Sequence, residues 1–202
     1  RQVSSAASDV YKRQVFGMEQ RHAFNVSLET NAFSLEQTTS SDFEPLYGVA
    51  SNPMLCEQHP EKDRWKRSVF LTFFQGALEN DLGCFTIRDK SAGVVIGSTR
   101  FYSHDALGEA VRLGYTFLSP GYWGSGANQE IKEVLLDHAF TIVERVYFDI
   151  GAENFRSRKA VERLDAVECA GDDEKVVYCL SKNAFRIKAW GVGSAAKTAG
   201  KQ

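Results

Sequence analysis

In the first part of the chain the spacing of the apolar residues changes once, from every second residue to steps of three and four. Residues 25–37 alternate between apolar and polar side chains, which predicts two short strands or one hairpin. Ser41 or Asp42 follows as a candidate helix N-cap. Over residues 61–80 the apolar side chains recur at steps of three and four, which predicts an amphipathic helix. The first part of the chain therefore supplies strands and then helices.

The middle of the chain contains three strand-like segments separated by short turns. Residues 83–88, 93–102 and 109–118 are predicted to form an antiparallel meander. The pattern then predicts a long helix over 128–143, a strand over 146–150, a short helix over 154–164 and a last strand over 175–180. A helix between two strands makes a crossover, so the strands on either side of the long helix should be parallel. These elements predict a single α/β (α+β) domain with a mixed sheet.

The two ends of the chain lack this periodicity. Residues 1–17 have the character of a non-native leader, because residues 1–14 resemble a translated linker sequence, and Met18 is the candidate start of the natural protein. Residues 188–202 are rich in Gly, Ala and Lys, carry no apolar period and are predicted to form a disordered tail. The folded domain is therefore expected to span residues 18–187.

Composition and charge narrow the function without identifying it. The 202 residues include 24 Lys and Arg against 26 Asp and Glu, whereas a general binder of nucleic-acid phosphates normally has an excess of basic residues. The 4 Cys residues show neither zinc-ligand nor disulfide spacing, and no apolar run reaches the length of a transmembrane helix. We therefore expect a cytoplasmic protein with no metal, membrane or nucleic-acid partner.

The most informative segment is residues 115–132, YTFLSPGYWGSGANQEIK, in which a strand leads through Gly124 and Gly126 directly into a helix. The first amides of a helix have no intrahelical acceptor, and the helix dipole adds partial positive charge at that end. Glycine lets an anion approach the backbone closely. These features predict an anion site that suits a pyrophosphate. A tight turn that binds nothing is the alternative.

Two familiar phosphate-binding motifs do not fit this segment. The dinucleotide-binding pattern GxGxxG would need a third glycine where the chain has Gln129, and a meander precedes the strand in place of a βαβ unit. The P-loop pattern needs Gly-Lys followed by Ser or Thr, and the chain contains no such sequence. The segment therefore differs from the sites that bind NAD or ATP through these motifs.

This segment and a second one together are similar to a known family. Residues 118–140, LSPGYWGSGANQEIKEVLLDHAF, are followed by NFRSRKAVERL at residues 154–164. They resemble the acetyl-CoA-dependent GNAT N-acetyltransferases, especially the branch of the ribosomal-protein N-terminal acetyltransferases. In that branch P-x-Y-W-G-x-G precedes a long helix, and N-x-x-S-R-x-x-x-x-x-L comes later. The resemblance extends over residues 33–180.

The resemblance implies a twisted mixed sheet with splayed central strands, helices on both faces and acetyl-CoA bound between the splayed strands. The backbone groups of Phe117 and Leu118 would pair with the pantetheine arm, and Asn154 would hydrogen-bond the same arm. Arg158 would contact the CoA phosphates. The pyrophosphate loop would consist of Trp123, Gly124, Ser125, Gly126, Ala127 and Asn128. Trp123 replaces the frequent Gln or Arg of the family, and Asn128 replaces a small residue.

The chemistry that the resemblance implies is direct attack of an amine on the thioester within a ternary complex. Many relatives use a helix Tyr to protonate the departing thiolate, but the aligned residue here is Val161, so Ser157 is the candidate donor. Glu109 is the candidate base, acting directly or through water. At pH 7 about a tenth of a protein α-amino group is neutral, far more than of a lysine, so an α-amine or a similar small amine suits the reaction. His59 would line the acceptor mouth or face solvent.

Other interpretations stay open at the level of sequence. The missing helix Tyr is compatible with a noncatalytic acyl-CoA sensor on the same fold. Nucleic-acid binding would rest only on the basic clusters at Arg64, Lys66 and Arg67 and at Arg156, Arg158 and Lys159, and solvated helix faces or contacts with the CoA phosphates explain these clusters better. A monomer and a homodimer are both compatible with the sequence, and so are a peptide N-terminus and a small-molecule amine as acceptor.

Overall fold

The computed structural model describes residues 23–187, which build a mixed sheet of eight strands in the order β1-β2-β3-β4-β5-β6-β8-β7. The strands are β1 (Leu28–Glu29), β2 (Phe33–Gln37), β3 (Cys84–Asp89), β4 (Val94–Asp105), β5 (Ala110–Leu118), β6 (Arg145–Gly151), β7 (Val167–Gly171) and β8 (Lys175–Ser181). Four of the helices are α1 (Phe43–Ala50), α2 (Arg67–Leu78), α3 (Ala127–Ala139) and α4 (Phe155–Glu162). Short 3-10 helices lie at Ser40–Asp42, Pro53–Cys56 and Pro120–Tyr122.

The predicted meander and crossover are confirmed. Strands β1 to β5 pair with their neighbours in antiparallel order. After the α3 crossover, β6 pairs in parallel with β5 and in antiparallel with β8. The single domain with a mixed sheet is therefore the fold that the periodicity predicted.

Strands β5 and β6 separate after a short parallel contact. Their residues pair only over Ala110–Arg112 and Arg145–Tyr147. Beyond these pairs the strands run on to Leu118 and Gly151 without pairing to each other. We call the resulting gap the cleft. It is closed beside Arg112 and open beside Leu118, so the splayed central strands expected from the resemblance are confirmed.

Strand β5 carries one extra residue where it borders the cleft. Ser98 pairs with Phe117 and Arg100 pairs with Gly114, so that two steps on β4 match three steps on β5. Tyr115, inside this bulge, has a φ of 53°, in the left-handed region. Its side chain is 46% exposed. The bulge therefore presents an aromatic ring beside the cleft.

Helices cover both faces of the sheet. Ile131 and Leu135 of α3 are fully buried in the larger of two core clusters, together with most of the buried strand residues. Leu46 of α1 and Phe70 of α2 belong to a second cluster, against which Phe117 of β5 packs. The second cluster fastens α1 and α2 to the sheet next to the bulge.

Helix α2 begins at Arg67, later than the start at residue 61 that the periodicity predicted. Polar side chains ahead of it accept hydrogen bonds from backbone amides. His59 Nδ1 accepts from the amide of Glu61 at 2.9 Å, and a carboxylate oxygen of Glu61 accepts from the amide of Asp63 at 3.2 Å. Such local bonds compete with the helical ladder. Residues 57–66 form an irregular segment instead, which we call the 57–66 loop.

Strand β7 was not predicted, because its residues give no periodic signal. All five of its residues, VECAG, are exposed, so no apolar face alternates with a polar one. The strand forms through antiparallel pairing with β8 at the sheet edge. Only the tertiary pairing identifies this segment as a strand.

The predicted leader at residues 1–17 and the predicted tail at residues 188–202 lie outside the described residues. Within residues 23–187, no helix has the length and apolar character needed to cross a membrane.

Lys132 is a buried cation on α3. The residue is 7% exposed, and its Nζ lies 5.4 Å from the centroid of the Phe148 ring. Burial lowers the pKa of the Lys132 ammonium from 10.5 to about 8. The charge is costly here because water has been removed from it and the attraction of the ring compensates only in part.

We expect Lys132→Met to raise the unfolding free energy by about 1–3 kcal/mol at neutral pH. Between about pH 8 and pH 10.5 the unfolded chain binds more protons than the folded chain, so wild-type stability should rise with pH and the difference from the variant should shrink. Urea denaturation at both ends of this window measures the two effects. Lys159→Met, at an exposed position on α4, is the control. A lower stability of Lys132→Met at neutral pH would contradict the prediction.

Candidate active site

The glycine turn at the open end of the cleft leads directly into α3. Gly124 has a φ of 74°, and Gly126, the N-cap of α3, has a φ of 91°. These are left-handed conformations that favour glycine. A Cβ at either position would meet no protein atom within 4 Å. The two glycines are therefore required by backbone conformation and not by crowding.

The amides of this turn point to an anion site. Among residues 23–187, the amides of Gly124, Ser125 and Asn128 have no hydrogen-bond acceptor. The Ser125 hydroxyl is held between the amide of Ala127, at 3.3 Å, and the carbonyl of Tyr122, at 2.8 Å. Free amides at a helix N-terminus, next to glycines that leave room, fit a pyrophosphate. These amides lie within residues 123–128, where the pyrophosphate loop was predicted.

The turn is anchored at both sides. The Trp123 indole donates to the carbonyl of Leu118 at 3.0 Å, and the Tyr122 hydroxyl donates to Asp89 at 2.8 Å. The guanidinium carbon of Arg156 lies 3.9 Å from the centroid of the Trp123 ring. Trp123, which the sequence analysis placed in the loop, thus connects β5 to α4.

The two strand residues expected beside a pantetheine arm face opposite ways. The carbonyl of Phe117 lies against Gly97 of β4, so closely that a Cβ on Gly97 would collide with it. Because backbone groups alternate along a strand, those of Leu118 face the cleft. The structure therefore favours Leu118, and not Phe117, as the residue whose backbone borders the cleft.

The predicted residues of α4 have separate surroundings. The side chain of Asn154 caps α4, because its oxygen accepts from the amide of Ser157 at 3.2 Å. The Ser157 hydroxyl has no hydrogen-bond partner within residues 23–187. Arg158 bonds instead to Tyr178, Ala152 and Glu168, at 3.1–3.2 Å. These bonds turn Arg158 toward β7 and β8, so Arg156, stacked on Trp123, is the arginine that lies beside the glycine turn.

Glu109 lies at the closed end of the cleft. Its carbonyl accepts from the amides of Glu144 and Arg145, at 2.9 and 3.1 Å, just where β6 begins. Ser157 comes after the other end of β6, a strand that spans about 20 Å at the usual rise per residue. The structure thus does not bring the two predicted catalytic residues together, and the position of Glu109 does not favour its role as base.

A carboxylate that the sequence analysis missed lies at the point where the cleft begins. Asp149 of β6 accepts from the Tyr102 hydroxyl at 3.2 Å and from Arg112 Nε at 2.9 Å, both on one oxygen. Its other oxygen, Oδ1, is buried and has no hydrogen-bond partner within residues 23–187. The ring of Tyr102 lies 4.9 Å from that of Tyr115 in the bulge. The signal that could have identified Asp149 is a single acid within the apolar strand VYFDIG.

The 57–66 loop crosses to the cleft from the side of α2. Pro60 packs against Gly151 at the end of β6, where a Cβ would come within 2.7 Å of the proline ring. Gln58 accepts from the amide of Arg156 at 3.0 Å. Burial and the neighbouring Arg64 charge lower the pKa of His59 to about 4, so this histidine is neutral at pH 7. The loop thus encloses the same side of the sheet on which Asp149 and Tyr115 lie.

The fold is that of acetyltransferases of known structure. A GCN5-related N-acetyltransferase from Brucella melitensis superposes with a TM-score of 0.72 at 18% identity, over 88% of this chain and 90% of that chain. A putative acetyltransferase from T. thermophilus gives a TM-score of 0.64 at 24% identity, over 81% and 95%. The spermidine N-acetyltransferase from Vibrio cholerae, solved with CoA and spermine, gives 0.61 at 14% identity, over 78% and 99%.

The sequence identifies the family itself. Residues 33–167 match the family model described as the acetyltransferase (GNAT) domain. The chain therefore belongs to the GNAT acetyltransferase family, whose members use acetyl-CoA. A search of curated protein sequences found no match.

Proposed function

We propose that the protein is an N-acetyltransferase that moves the acetyl group of acetyl-CoA to a primary amine by direct attack in a ternary complex. The observation that carries this proposal is the coincidence of the cleft between β5 and β6 with the glycine turn at its open end. The cleft accommodates the extended pantetheine arm along a strand edge, and the glycine turn accommodates the pyrophosphate to which that arm is attached. The cysteine usage supports a cytoplasmic location as part of the same proposal.

In this proposal the open end of the cleft binds the nucleotide part of acetyl-CoA. The free amides of Gly124, Ser125 and Asn128 bind the pyrophosphate, and Arg156, beside Trp123, adds positive charge there. The backbone amide of Leu118, whose carbonyl accepts from the Trp123 indole, pairs with the pantetheine arm. The thioester then lies deeper in the cleft, near the bulge at Tyr115 and near Asp149.

The chemical step needs a neutral amine and a place for its proton. Oδ1 of Asp149, which has no hydrogen-bond partner within residues 23–187, can accept this proton, whereas Glu109 lies at the closed end of the cleft. Positioning of the amine against the thioester supplies much of the acceleration. The amine nitrogen bonds to the acetyl carbon, the carbon–sulfur bond breaks, Asp149 takes a proton from the amine, and the Ser157 hydroxyl delivers a proton to the thiolate. Asp149 then releases its proton to solvent and Ser157 takes one from solvent, which restores both groups.

The similarity of the loop to the ribosomal-protein N-terminal acetyltransferases supports an α-amino group as acceptor. Such a group is partly neutral at pH 7 and so demands less of a base than a lysine does. A peptide N-terminus and a small α-amine both meet this requirement.

The proposal is tested by ligand stabilisation and by turnover. Acetyl-CoA should raise the melting temperature of the full chain, whereas NADH and ATP should not. A panel of primary amines should then release CoA thiol from acetyl-CoA. Stabilisation without release from any amine would favour a noncatalytic acyl-CoA sensor, and the absence of stabilisation would refute the proposed cofactor site.

A further inference from the structure

Arg100 is a buried arginine on β4 beside the bulge of β5. The residue is 6% exposed, and its Nε has no hydrogen-bond partner within residues 23–187. Its guanidinium carbon lies 3.9 Å from the ring centroid of Tyr115 and 4.7 Å from that of Phe73. Nη2 lies 3.4 Å from the carbonyl of Phe73, as donor of a long hydrogen bond. These contacts orient the side chain without neutralising its charge.

Arg64 of the 57–66 loop approaches the same place. Its guanidinium carbon lies 4.8 Å from the ring centroid of Phe73, so this one ring borders both arginines. Its Nη2 lies 2.9 Å from Nδ1 of the neutral His59. Burial lowers the pKa of both guanidinium groups, and the charge of Arg100 lowers that of Arg64 further. A buried and a half-buried positive charge therefore border the same aromatic ring.

Within residues 23–187 neither arginine forms an ion pair with a carboxylate, although the nearby charge of Glu61 raises the pKa of Arg64 somewhat. Neither guanidinium has a carboxylate oxygen within 4 Å, whereas Arg67, Arg88, Arg112 and Arg158 each do. A guanidinium stays charged in proteins, and buried charges are normally paired. The arrangement is the one expected of a site whose counterion is a bound anion.

This pair lies on the same side of the sheet as the carboxylate of Asp149. Arg100 and Tyr102 are two residues apart on β4 and so share a face, and the Tyr102 hydroxyl reaches Asp149. Arg100 pairs with Gly114, which lies two residues beyond the last β5 residue paired with β6, and Asp149 lies two residues beyond the last such residue of β6. The ring of Tyr102 lies against Gly114, 3.1 Å from the position that a Cβ would take there. Arg100 and Asp149 thus place a cation and an anion on one face of the sheet, on the two strands that flank β5.

We propose that Arg100 and Arg64 bind an anionic group of the acceptor, so that the substrate is an amine that also carries a carboxylate or a phosphate. The inference rests on the proposed N-acetyltransferase function, because it places the amine at Asp149 and the anion at the two arginines. A small amino acid, with opposite charges close together, matches this arrangement. A polyamine, whose charges are all positive, does not.

The test compares acceptors in pairs that differ only in the anionic group. Amino acids are compared with their amides, and phosphoethanolamine is compared with ethanolamine, by CoA thiol release from acetyl-CoA with the full chain. The anionic member should have a kcat/KM about 10- to 100-fold higher. The pair with the larger ratio shows whether the site takes a carboxylate or a phosphate.

Variants of the two arginines show whether these residues cause the preference for anionic acceptors. Arg100→Gln and Arg64→Gln should each lower kcat/KM for the anionic acceptor about 10-fold or more and leave the neutral acceptor within about twofold. Arg100→Lys and Arg64→Lys should each give an intermediate ratio of kcat/KM for the anionic acceptor to kcat/KM for the neutral one. Lysine keeps the positive charge but loses the planar guanidinium that can bind an anion with two hydrogen bonds. Arg67→Gln is the matched control, because Arg67 is exposed and pairs with Glu44.

Stabilisation by acetyl-CoA is measured for every variant, and it should be unchanged. If Arg100→Gln does not fold, Arg64→Gln carries the test. Equal kcat/KM for anionic and neutral acceptors would overturn the inference and leave the proposed function intact. Acetyl-CoA binding without turnover of any anionic acceptor would overturn it as well. A lack of acetyl-CoA binding by the wild-type chain would refute the proposed function itself.

Discussion

Replacing Gly126 with glutamate should reduce the affinity for acetyl-CoA by at least about 100-fold. The new carboxylate would stand at the N-terminus of α3, where the proposed pyrophosphate site lies, and would repel the pyrophosphate. A Cβ at this position meets no protein atom within 4 Å, so crowding does not prevent a side chain from starting there. The φ of 91° adds a backbone cost of about 1–2 kcal/mol. Calorimetric titration with acetyl-CoA measures the loss, and the melting temperature reports on the fold.

Two variants separate charge from backbone strain. Gly126→Ala carries the same strain without the charge and should lose less affinity than Gly126→Glu. Gly121→Glu places the same charge outside the turn, at a glycine whose Cβ also meets no atom within 4 Å, and should bind acetyl-CoA almost normally. Unchanged affinity in Gly126→Glu would mean that the glycine turn does not hold the pyrophosphate.

Asp149→Asn should lower kcat by about 100-fold or more without changing the affinity for acetyl-CoA. The amide has nearly the same size and can still accept the hydrogen bond from Tyr102, but it cannot take a proton from the amine. The loss of the Arg112 ion pair will also cost stability, which the melting temperature measures. Steady-state thiol release with a saturating acceptor gives kcat, and titration gives the acetyl-CoA affinity.

Glu109→Gln is the matched control for this experiment, since it makes the same chemical change at the closed end of the cleft. We expect its kcat to stay within about twofold of wild type. If Glu109→Gln lost activity and Asp149→Asn kept it, the base would be Glu109 acting through water, and the assignment of Asp149 would be wrong.

The sequence was sufficient for the parts of the fold that depend on local signals. The strand before Leu118, the glycine turn and α3 follow one another in the chain, and each has its own periodicity or conformational requirement. β7 could not be predicted, because all of its residues are exposed and only pairing with β8 makes it a strand. The start of α2 was misplaced because the polar side chains of the 57–66 loop bind its backbone amides.

The acceptor side of the candidate site could not be predicted in the same way. Arg64, Arg100 and Asp149 come from a loop and two strands that are far apart in the chain, and only the tertiary contacts through Phe73 and Tyr102 connect them. In sequence, Arg64 belongs to a basic cluster that a solvated helix would explain. Likewise, Arg156 and Arg158 differ by two helical positions, and the sequence does not show which of them faces the turn.

Only three residue pairs join β5 to β6, and we call this junction the seam. It divides the sheet into one group of five strands and one group of three. In the group of five strands every strand pairs with its neighbour in the chain, although the connection from β2 to β3 is long and contains α1 and α2. The two groups of strands also share one core cluster, so the seam is a gap in backbone pairing and not a break in the core. A ligand that spans the cleft would bridge this gap, and we expect it to suppress local opening of the strands along the seam.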